Sequence, residues 1–89
     1  MKFEVRWSFK ALDELARAWI TSDEDQRQQI TASAHLVDTI LSRSPDAQGE
    51  SREADDRIIF IGKLGITFTV EVERRRTIVL GIWPIRNRR

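Results

Sequence analysis

The sequence predicts an α+β domain in which an antiparallel helical hairpin packs on one face of a four-stranded sheet, in the order β-α-α-β-β-β. Three observations support this fold class. The chain opens with strict polar-apolar alternation, continues with two stretches of apolar residues at helical spacing, and closes with three strand-like runs. With 89 residues, the chain has the size of one small domain, and we expect residues 1–89 to form it.

The first strand and the first helix follow from the N-terminal pattern. Phe3, Val5 and Trp7 alternate with charged residues, which is typical of a strand that buries one face. Ser8 is a suitable N-cap, and a helix from about Phe9 to Ile20 is predicted after it. We expect the apolar stripe of this helix to pack on the sheet through Leu12, Leu15, Ala16, Trp19 and Ile20.

The second helix is predicted to begin after Ser22, which can cap it, with Asp25 three residues later in the position of a shortened capping box. It should end near Arg43, because Pro45 cannot continue it. Only about two residues separate the helices, so they should fold back on each other as an antiparallel pair. The apolar stripe of this second helix consists of Ile30, Ala34, Val37, Ile40 and Leu41.

The rest of the chain predicts a loop and three strands. Residues 44–56 are polar and without periodicity, which indicates a connecting loop. Strands from Arg57 to Ile61, from Ile66 to Val72 and from Thr77 to Trp83 should form an antiparallel meander, because short connections join them. The run from Ile78 to Trp83 holds only apolar residues and glycine. We therefore expect the last strand to lie inside the sheet, beside the first strand, with both faces covered.

Charge is unevenly distributed, although the net charge is only +1. Residues 1–56 carry seven basic and twelve acidic groups, a balance of −5, whereas residues 57–89 carry eight basic and two acidic groups, a balance of +6. Pro84 cannot donate to a ladder, so residues 84–89 should form a basic tail. The asymmetry indicates an anionic partner, either nucleic acid or an acidic protein, and the alternative is a solvated rim of arginines.

Several kinds of site are not expected. The chain has no cysteine, and its single histidine, His35, has no ligand candidates beside it in the sequence, so we predict neither a metal nor another cofactor. No apolar run approaches the roughly 18 residues of a membrane span, and the N-terminus lacks the apolar stretch of a signal peptide. The expectation is a soluble cytoplasmic protein that does not enter a membrane.

Three stretches of this chain resemble the RelE/ParE superfamily, which comprises toxins of bacterial type II toxin-antitoxin systems. They are WSFKALDEL from Trp7 to Leu15, GKLGITFTV from Gly62 to Val70, and TIVLGIW from Thr77 to Trp83 with the arginine tail after it. The resemblance implies a cognate antitoxin as partner. It also implies one of two activities, because one branch cleaves mRNA in the ribosomal A site without a metal and another inhibits DNA gyrase.

The chain departs from the nuclease branch in the groups that would carry the chemistry. It has no tyrosine, its histidine lies far from the tail, and Gly65 stands where an arginine is frequent in the family. Charge stabilisation of a cleaved phosphate would fall to Lys63, Arg86 and Arg88, although a metal-free ribonuclease also needs a proton carrier. The expected contacts with a target or with nucleic acid are Arg57, Arg74, Arg75, Arg76, Trp83 and Arg89.

Trp83 has two interpretations at this level. It is either part of the core, as the apolar run before it favours, or a ring that stacks on a base or on an antitoxin side chain. For the whole chain, the leading hypothesis is a toxin that acts by mRNA cleavage or by gyrase inhibition. The alternative is a non-catalytic module of the same fold that binds nucleic acid or an acidic peptide through its basic edge and tail.

Overall fold

The computed structural model describes residues 2–43, 45, 50–51 and 56–85. The predicted α+β layout is confirmed, with two helices between the first strand and the remaining ones. The elements are β1 (Glu4–Trp7), α1 (Phe9–Ile20), α2 (Glu24–Arg43), β2 (Glu50–Ser51), β3 (Asp56–Ile61), β4 (Leu64–Glu71) and β5 (Arg76–Pro84). Most of the predicted loop at residues 44–56 and residues 86–89 of the predicted tail lie outside the described residues.

The described strands form one mixed sheet in the order β1-β5-β4-β3-β2. β1 runs parallel to β5, and β3, β4 and β5 form the predicted antiparallel meander. The prediction that the first strand lies beside the last is therefore confirmed. β2, only two residues long, pairs with β3 and adds a fifth strand within the predicted loop.

α1 packs on the sheet with a face that shares only Leu15 with the predicted stripe. Its buried residues are Ala11 and Ala18, which are 0% and 7% exposed, whereas Leu12, Trp19 and Ile20 are 47%, 42% and 65% exposed. The prediction that these larger residues belong to the core is wrong. The reason is that two small alanines, seven residues apart, bring the helix backbone close to the sheet and turn the larger side chains away from it.

α2 packs as predicted but begins differently. Ile30, Val37 and Leu41 are buried against the sheet. The cap is Asp23 rather than Ser22, since Asp23 Oδ1 accepts from the Gln26 amide at 2.8 Å and Gln26 Oε1 accepts from the Asp23 amide at 3.1 Å. This is a capping box one residue later than predicted. The Ser22 hydroxyl is not available because it donates to the Ala18 carbonyl at the end of α1.

β5 is not covered on both faces. Thr77, Val79 and Ile82 are buried beneath the helices, while Ile78 and Leu80 on the alternate positions are half-buried and Trp83 is 37% exposed. We call the face that carries Ile78, Leu80 and Trp83 the open face, because α1 and α2 both pack on the other one. The interpretation of Trp83 as a core residue is therefore wrong. An apolar run predicted burial, but here it supplies an exposed aromatic surface.

Candidate functional site

An aromatic pair marks the open face near the end of β5. Phe60, Gly65 and Trp83 lie on one rung of the sheet, in β3, β4 and β5 respectively. The Trp83 indole lies over Gly65 so closely that a β-carbon at this glycine would overlap with the ring. Phe60 meets Trp83 edge to face, with ring centroids 6.2 Å apart and an interplanar angle of 86°. The glycine thus makes room for an exposed aromatic platform.

A hollow of about 250 Å³ lies beside Trp83. It forms where β5 is irregular, because Thr67 pairs with Gly81 while Phe68 pairs with Val79, which leaves Leu80 as the extra residue of a bulge. The bulge brings Leu80 and Gly81 to the floor of the hollow, and Thr67 faces them from β4. Three charged side chains also line the hollow, and they are Lys10, Glu14 and Asp56.

Glu14 fixes the edge of β5 that borders this hollow. The pairing of β1 with β5 ends at Trp7 and Val79, and beyond that point the Glu14 Oε1 accepts from the Ile82 amide at 2.9 Å. Its Oε2 accepts from Lys10 Nζ at 2.8 Å. Burial alone would raise the pKa of Glu14, but the hydrogen bonds from Lys10 and Ile82 outweigh it and hold the pKa below its ordinary value.

Lys63 lies at the same end of the sheet as Trp83, in the turn between β3 and β4. Its amide donates to the Ser33 hydroxyl at 2.9 Å, and its carbonyl accepts from the Ile85 amide at 2.8 Å. The preceding residue, Gly62, has a φ of +58°, and a β-carbon there would collide with Ser33. These contacts set where the chain leaves the sheet. Arg86, Arg88 and Arg89 follow within residues that the structure does not describe.

Within the described residues, the other predicted cations lie apart from Lys63. Arg74 and Arg75 lie in the turn between β4 and β5, at the opposite end of β5 from Trp83. β5 has nine residues, so at about 3.3 Å per residue its two ends are roughly 26 Å apart. Arg76 pairs with Glu4 at 3.6 Å and with Glu71 at 3.7 Å. In the described part of the chain, the basic groups of the C-terminal half therefore do not form one continuous surface.

Arg57 is placed on the opposite face from Trp83. In β3 it is in register with Phe68, a core residue of β4, and residues in register share a face of the sheet. Of the predicted target contacts, Trp83 alone lies on the open face near the hollow within the described residues. The predicted roles of the arginines stay predictions.

A second concave surface, absent from the sequence predictions, lies between the helices. The side chains that α1 turns away from the sheet form its wall, and it has a volume of about 470 Å³. Arg27 holds the Trp19 side chain, because its guanidinium stacks 4.4 Å from the Trp19 ring and its Nε donates to the Trp19 carbonyl at 2.8 Å. We call this surface the helical groove. It is lined by Leu12, Leu15, Ala16, Trp19, Ile20, Ile30, Thr31, Ala34 and His35.

The helical groove was detectable in the sequence as a matter of spacing. Leu12, Ala16 and Trp19 repeat at i, i+4 and i+7, which is a regular apolar stripe, but this stripe lines the groove and does not pack on the sheet. His35 lies at the groove and is exposed. Among the described residues, no cluster of histidine or acidic side chains could hold a metal ion, and no helix is both long and apolar enough to cross a membrane.

Solved structures with the same arrangement of elements come from toxin-antitoxin systems. The RelBE2 toxin-antitoxin complex from Mycobacterium tuberculosis aligns with a TM-score of 0.73 at 18% identity, covering 94% of this chain and 99% of that chain. The chromosomal ParDE system from P. aeruginosa aligns with a TM-score of 0.74 at 13% identity, covering 94% and 97%. The isolated E. coli RelE toxin gives 0.58 at 17% identity, covering 97% and 87%.

One class of α+β domain is defined by this element order, a strand, two helices and a three-stranded meander, together with the parallel pairing of the first and last strands. Within that class, this chain has the fold of the RelE and ParE toxins, as the three stretches of sequence resemblance predicted. No model of a known protein family matches the sequence, and no curated protein sequence matches it. With identities below 20%, the solved structures establish the fold, and function has to be argued from the surfaces of this chain.

Proposed function

We propose that this protein is the toxin of a toxin-antitoxin pair and that it acts by binding a protein target rather than by cutting RNA. The observation that carries the second half of this proposal is the Trp83 ring over Gly65. The family resemblance places a frequent arginine at this position, and here a glycine and an indole occupy its space. Of the two activities implied by the resemblance, inhibition of DNA gyrase fits this surface better than cleavage of mRNA.

The charges of the open face support the same choice. A metal-free ribonuclease needs cations around the scissile phosphate and a group that exchanges protons. Among the described residues of this face, Arg6 pairs with Glu4 at 3.0 Å, and Arg76 pairs with Glu4 and Glu71. These arginines are already neutralised by carboxylates, which would repel a phosphate backbone. The catalytic role of Lys63 stays a prediction, and Arg86 and Arg88 lie outside the described residues.

We further propose that the helical groove binds the antitoxin. Exposed apolar patches of this kind on small proteins mark sites of interaction, and an apolar segment laid along the two helices would cover Leu12, Trp19 and Ile20. Two of the similar structures are toxin-antitoxin systems, which supports an antitoxin as the occupant. The groove and the open face lie on opposite sides of the sheet, so the proposed antitoxin and target sites are separate.

Controlled expression in a bacterial host tests the proposed function. Induction of the wild-type protein should arrest growth, and coexpression of the neighbouring small open reading frame should restore it. The purified protein should inhibit DNA supercoiling by gyrase, and transcript ends mapped after induction should show no new cuts at ribosome A sites. Ribosome-dependent cuts would assign the protein to the nuclease branch. Unimpaired growth would leave the non-catalytic binding module as the better description.

A matched pair of variants tests the antitoxin site. Leu12→Lys places a charge in the helical groove and should weaken antitoxin binding by at least about tenfold, because a desolvated ammonium is costly in an apolar interface. Leu36→Lys makes the same change at an exposed leucine of α2 outside the groove lining. Calorimetric titration should show near wild-type affinity for Leu36→Lys. Equal losses for the two variants would contradict the assignment of the groove.

A further inference from the structure

We propose that the hollow beside Trp83 binds an arginine side chain presented by a protein partner. The hollow combines an aromatic wall with a lining of net negative charge, in which Lys10 is paired with Glu14 over Gly81. This combination is suited to a planar cation. The inference deepens the proposed function, because it names the chemistry that the open face would recognise on its target.

The aromatic wall supplies the first part of the recognition. A guanidinium gains most from a tryptophan face, because it is planar, weakly hydrated and attracted by the π-electrons. Trp83 is held in position from two sides, since its ring lies over Gly65 and packs against Phe60 at an interplanar angle of 86°. Phe60 is 63% exposed, so the pair is accessible to a partner. A rigid ring loses little conformational freedom on binding.

The charge of the hollow supplies the second part. Lys10, Glu14 and Asp56 give the lining a formal charge of −1. Glu14 is already committed to Lys10 and to the Ile82 amide. Asp56 is therefore the carboxylate that would receive the partner. It lies on the same face as Trp83 because Asp56, Ile58 and Phe60 alternate along β3 and Phe60 contacts Trp83.

The lining of the hollow offers a carboxylate and an aromatic ring, the two groups to which an arginine side chain binds. The carboxylate accepts two parallel N–H bonds from the fork, and the ring stacks on the guanidinium plane. A nucleic-acid segment is the less suitable occupant, since its phosphates would approach Asp56 and Glu14. A lysine is less suitable as well, because its strongly hydrated ammonium makes neither the planar stack nor the bidentate contact.

Titration of the full chain with N-acetyl-arginine amide tests the site directly. The Trp83 indole N–H signal, assigned by its loss in Trp83→Phe, should shift and saturate in the millimolar range in NMR spectra. N-acetyl-lysine amide should bind about fivefold more weakly. A short single-stranded RNA should leave this signal in place. If the arginine probe produces no saturable shift, or if RNA shifts Trp83 at lower concentration than the arginine probe, the inference is wrong.

Two variants and a charge-matched control identify the residues. Asp56→Asn should lower the affinity for the arginine probe about fivefold to tenfold, because it removes a charge-assisted hydrogen bond. Trp83→Leu should abolish binding, which the signals of Thr67 and Gly81 would report. Glu73→Gln removes the same charge at an exposed position in the turn between β4 and β5, and should bind like wild type. If Glu73→Gln and Asp56→Asn weakened the binding of the arginine probe equally, the effect would come from overall charge, and the proposed site would be wrong.

Growth assays separate this inference from the proposed function. If wild type arrests growth, Asp56→Asn and Trp83→Leu should lose the arrest while they retain antitoxin binding in the helical groove. Arrest by wild type and by both variants alike would reject the arginine site and leave the toxin proposal standing. If wild type does not arrest growth, the toxin proposal fails, and the NMR titration still decides whether the hollow binds arginine.

Discussion

At the scale of single residues, the Glu14 side chain extends the hydrogen bonding along the edge of β5 beyond the end of β1. β1 is too short to pair with the whole of β5, and the Glu14 carboxylate accepts the Ile82 amide where the strand ends. The amide would otherwise lie at an edge without a ladder partner. The same carboxylate holds Lys10 over Gly81. One helical glutamate therefore stabilises both the sheet edge and the wall of the hollow.

The contribution of Glu14 should depend on pH. Its pKa in the folded protein lies below the ordinary 4.5, so the ionised group stabilises the fold above that pH, and the effect is lost as the pH falls through the folded-state value. Glu14→Gln should lower the free energy of unfolding by about 1 kcal/mol near neutral pH. Urea denaturation at several pH values should show the difference vanish at low pH. Glu73→Gln is the control, and a difference that persists at low pH would contradict the role assigned to the charge.

Gly65 and Trp83 should behave as a coupled pair. A β-carbon at Gly65 would overlap with the indole, so Gly65→Ala has to displace the ring, and we expect a loss of stability of about 1 to 2 kcal/mol. Gly81→Ala is the matched change in β5, where the new carbon would lie 3.2 Å from Lys10 Nζ and 3.3 Å from Glu14 Oε1, the ends of flexible side chains. NMR should show a large shift of the Trp83 indole in the first variant only. An unmoved indole in Gly65→Ala would refute the coupling.

At the scale of elements, α1 shows that apolar periodicity predicts where a helix lies in the sequence but not which of its faces packs on the sheet. The existence and bounds of the helix, Phe9–Ile20, follow from the pattern and from Ser8, whose hydroxyl accepts from the Ala11 amide at 3.0 Å. The face that packs on the sheet does not follow from it. A stripe of large apolar residues and a stripe of alanines both fit helical spacing, and only the tertiary structure places the small one against β5.

The packing of α1 gives opposite expectations for two neighbouring residues. Ala11→Leu should lower the free energy of unfolding by about 1 to 3 kcal/mol, because it overpacks a site that is fully buried against the sheet. Leu12→Ala should cost less than about 1 kcal/mol, since Leu12 is largely exposed in the groove. Thermal or urea denaturation of the two variants measures the order. The reverse order would mean that the larger stripe faces the core.

For β5 as well, the sequence predicts the position of the element but not which of its faces is buried. Its position beside β1 and its end at Pro84 follow from the sequence. Its apolar run, however, predicted two buried faces, and Trp83 is on the surface. A hydrophobic residue that serves a binding surface has the same signature in a single sequence as one that fills a core. The candidate site was therefore anticipated in Trp83, whereas Asp56 and Glu14 became visible only through the strand register and the hydrogen bonds.

At the scale of the whole molecule, the fold divides the basic half of the sequence. Residues 57–89 have a balance of +6, but their described basic groups lie at both ends of β5. Arg74 and Arg75 lie at one end of β5, and Lys63 lies at the other, where Ile85 leads into the tail. Charges that are close in the sequence therefore lie at opposite ends of β5. Trp83 and the hollow lie at the same end as Lys63.

This division predicts unequal effects from two double variants that each remove two positive charges. Arg86→Ala with Arg88→Ala should abolish growth arrest, because these residues follow the end of the strand that carries the proposed target site. Arg74→Ala with Arg75→Ala should leave the arrest within about twofold of wild type and change stability by less than about 0.5 kcal/mol, as is usual for exposed positions. Colony counts after induction, at matched protein levels, measure both. Equal loss of arrest in the two double variants would mean that the target contacts both ends of β5, across roughly 26 Å of sheet. The overall positive charge would then contribute more to growth arrest than the surface beside Trp83.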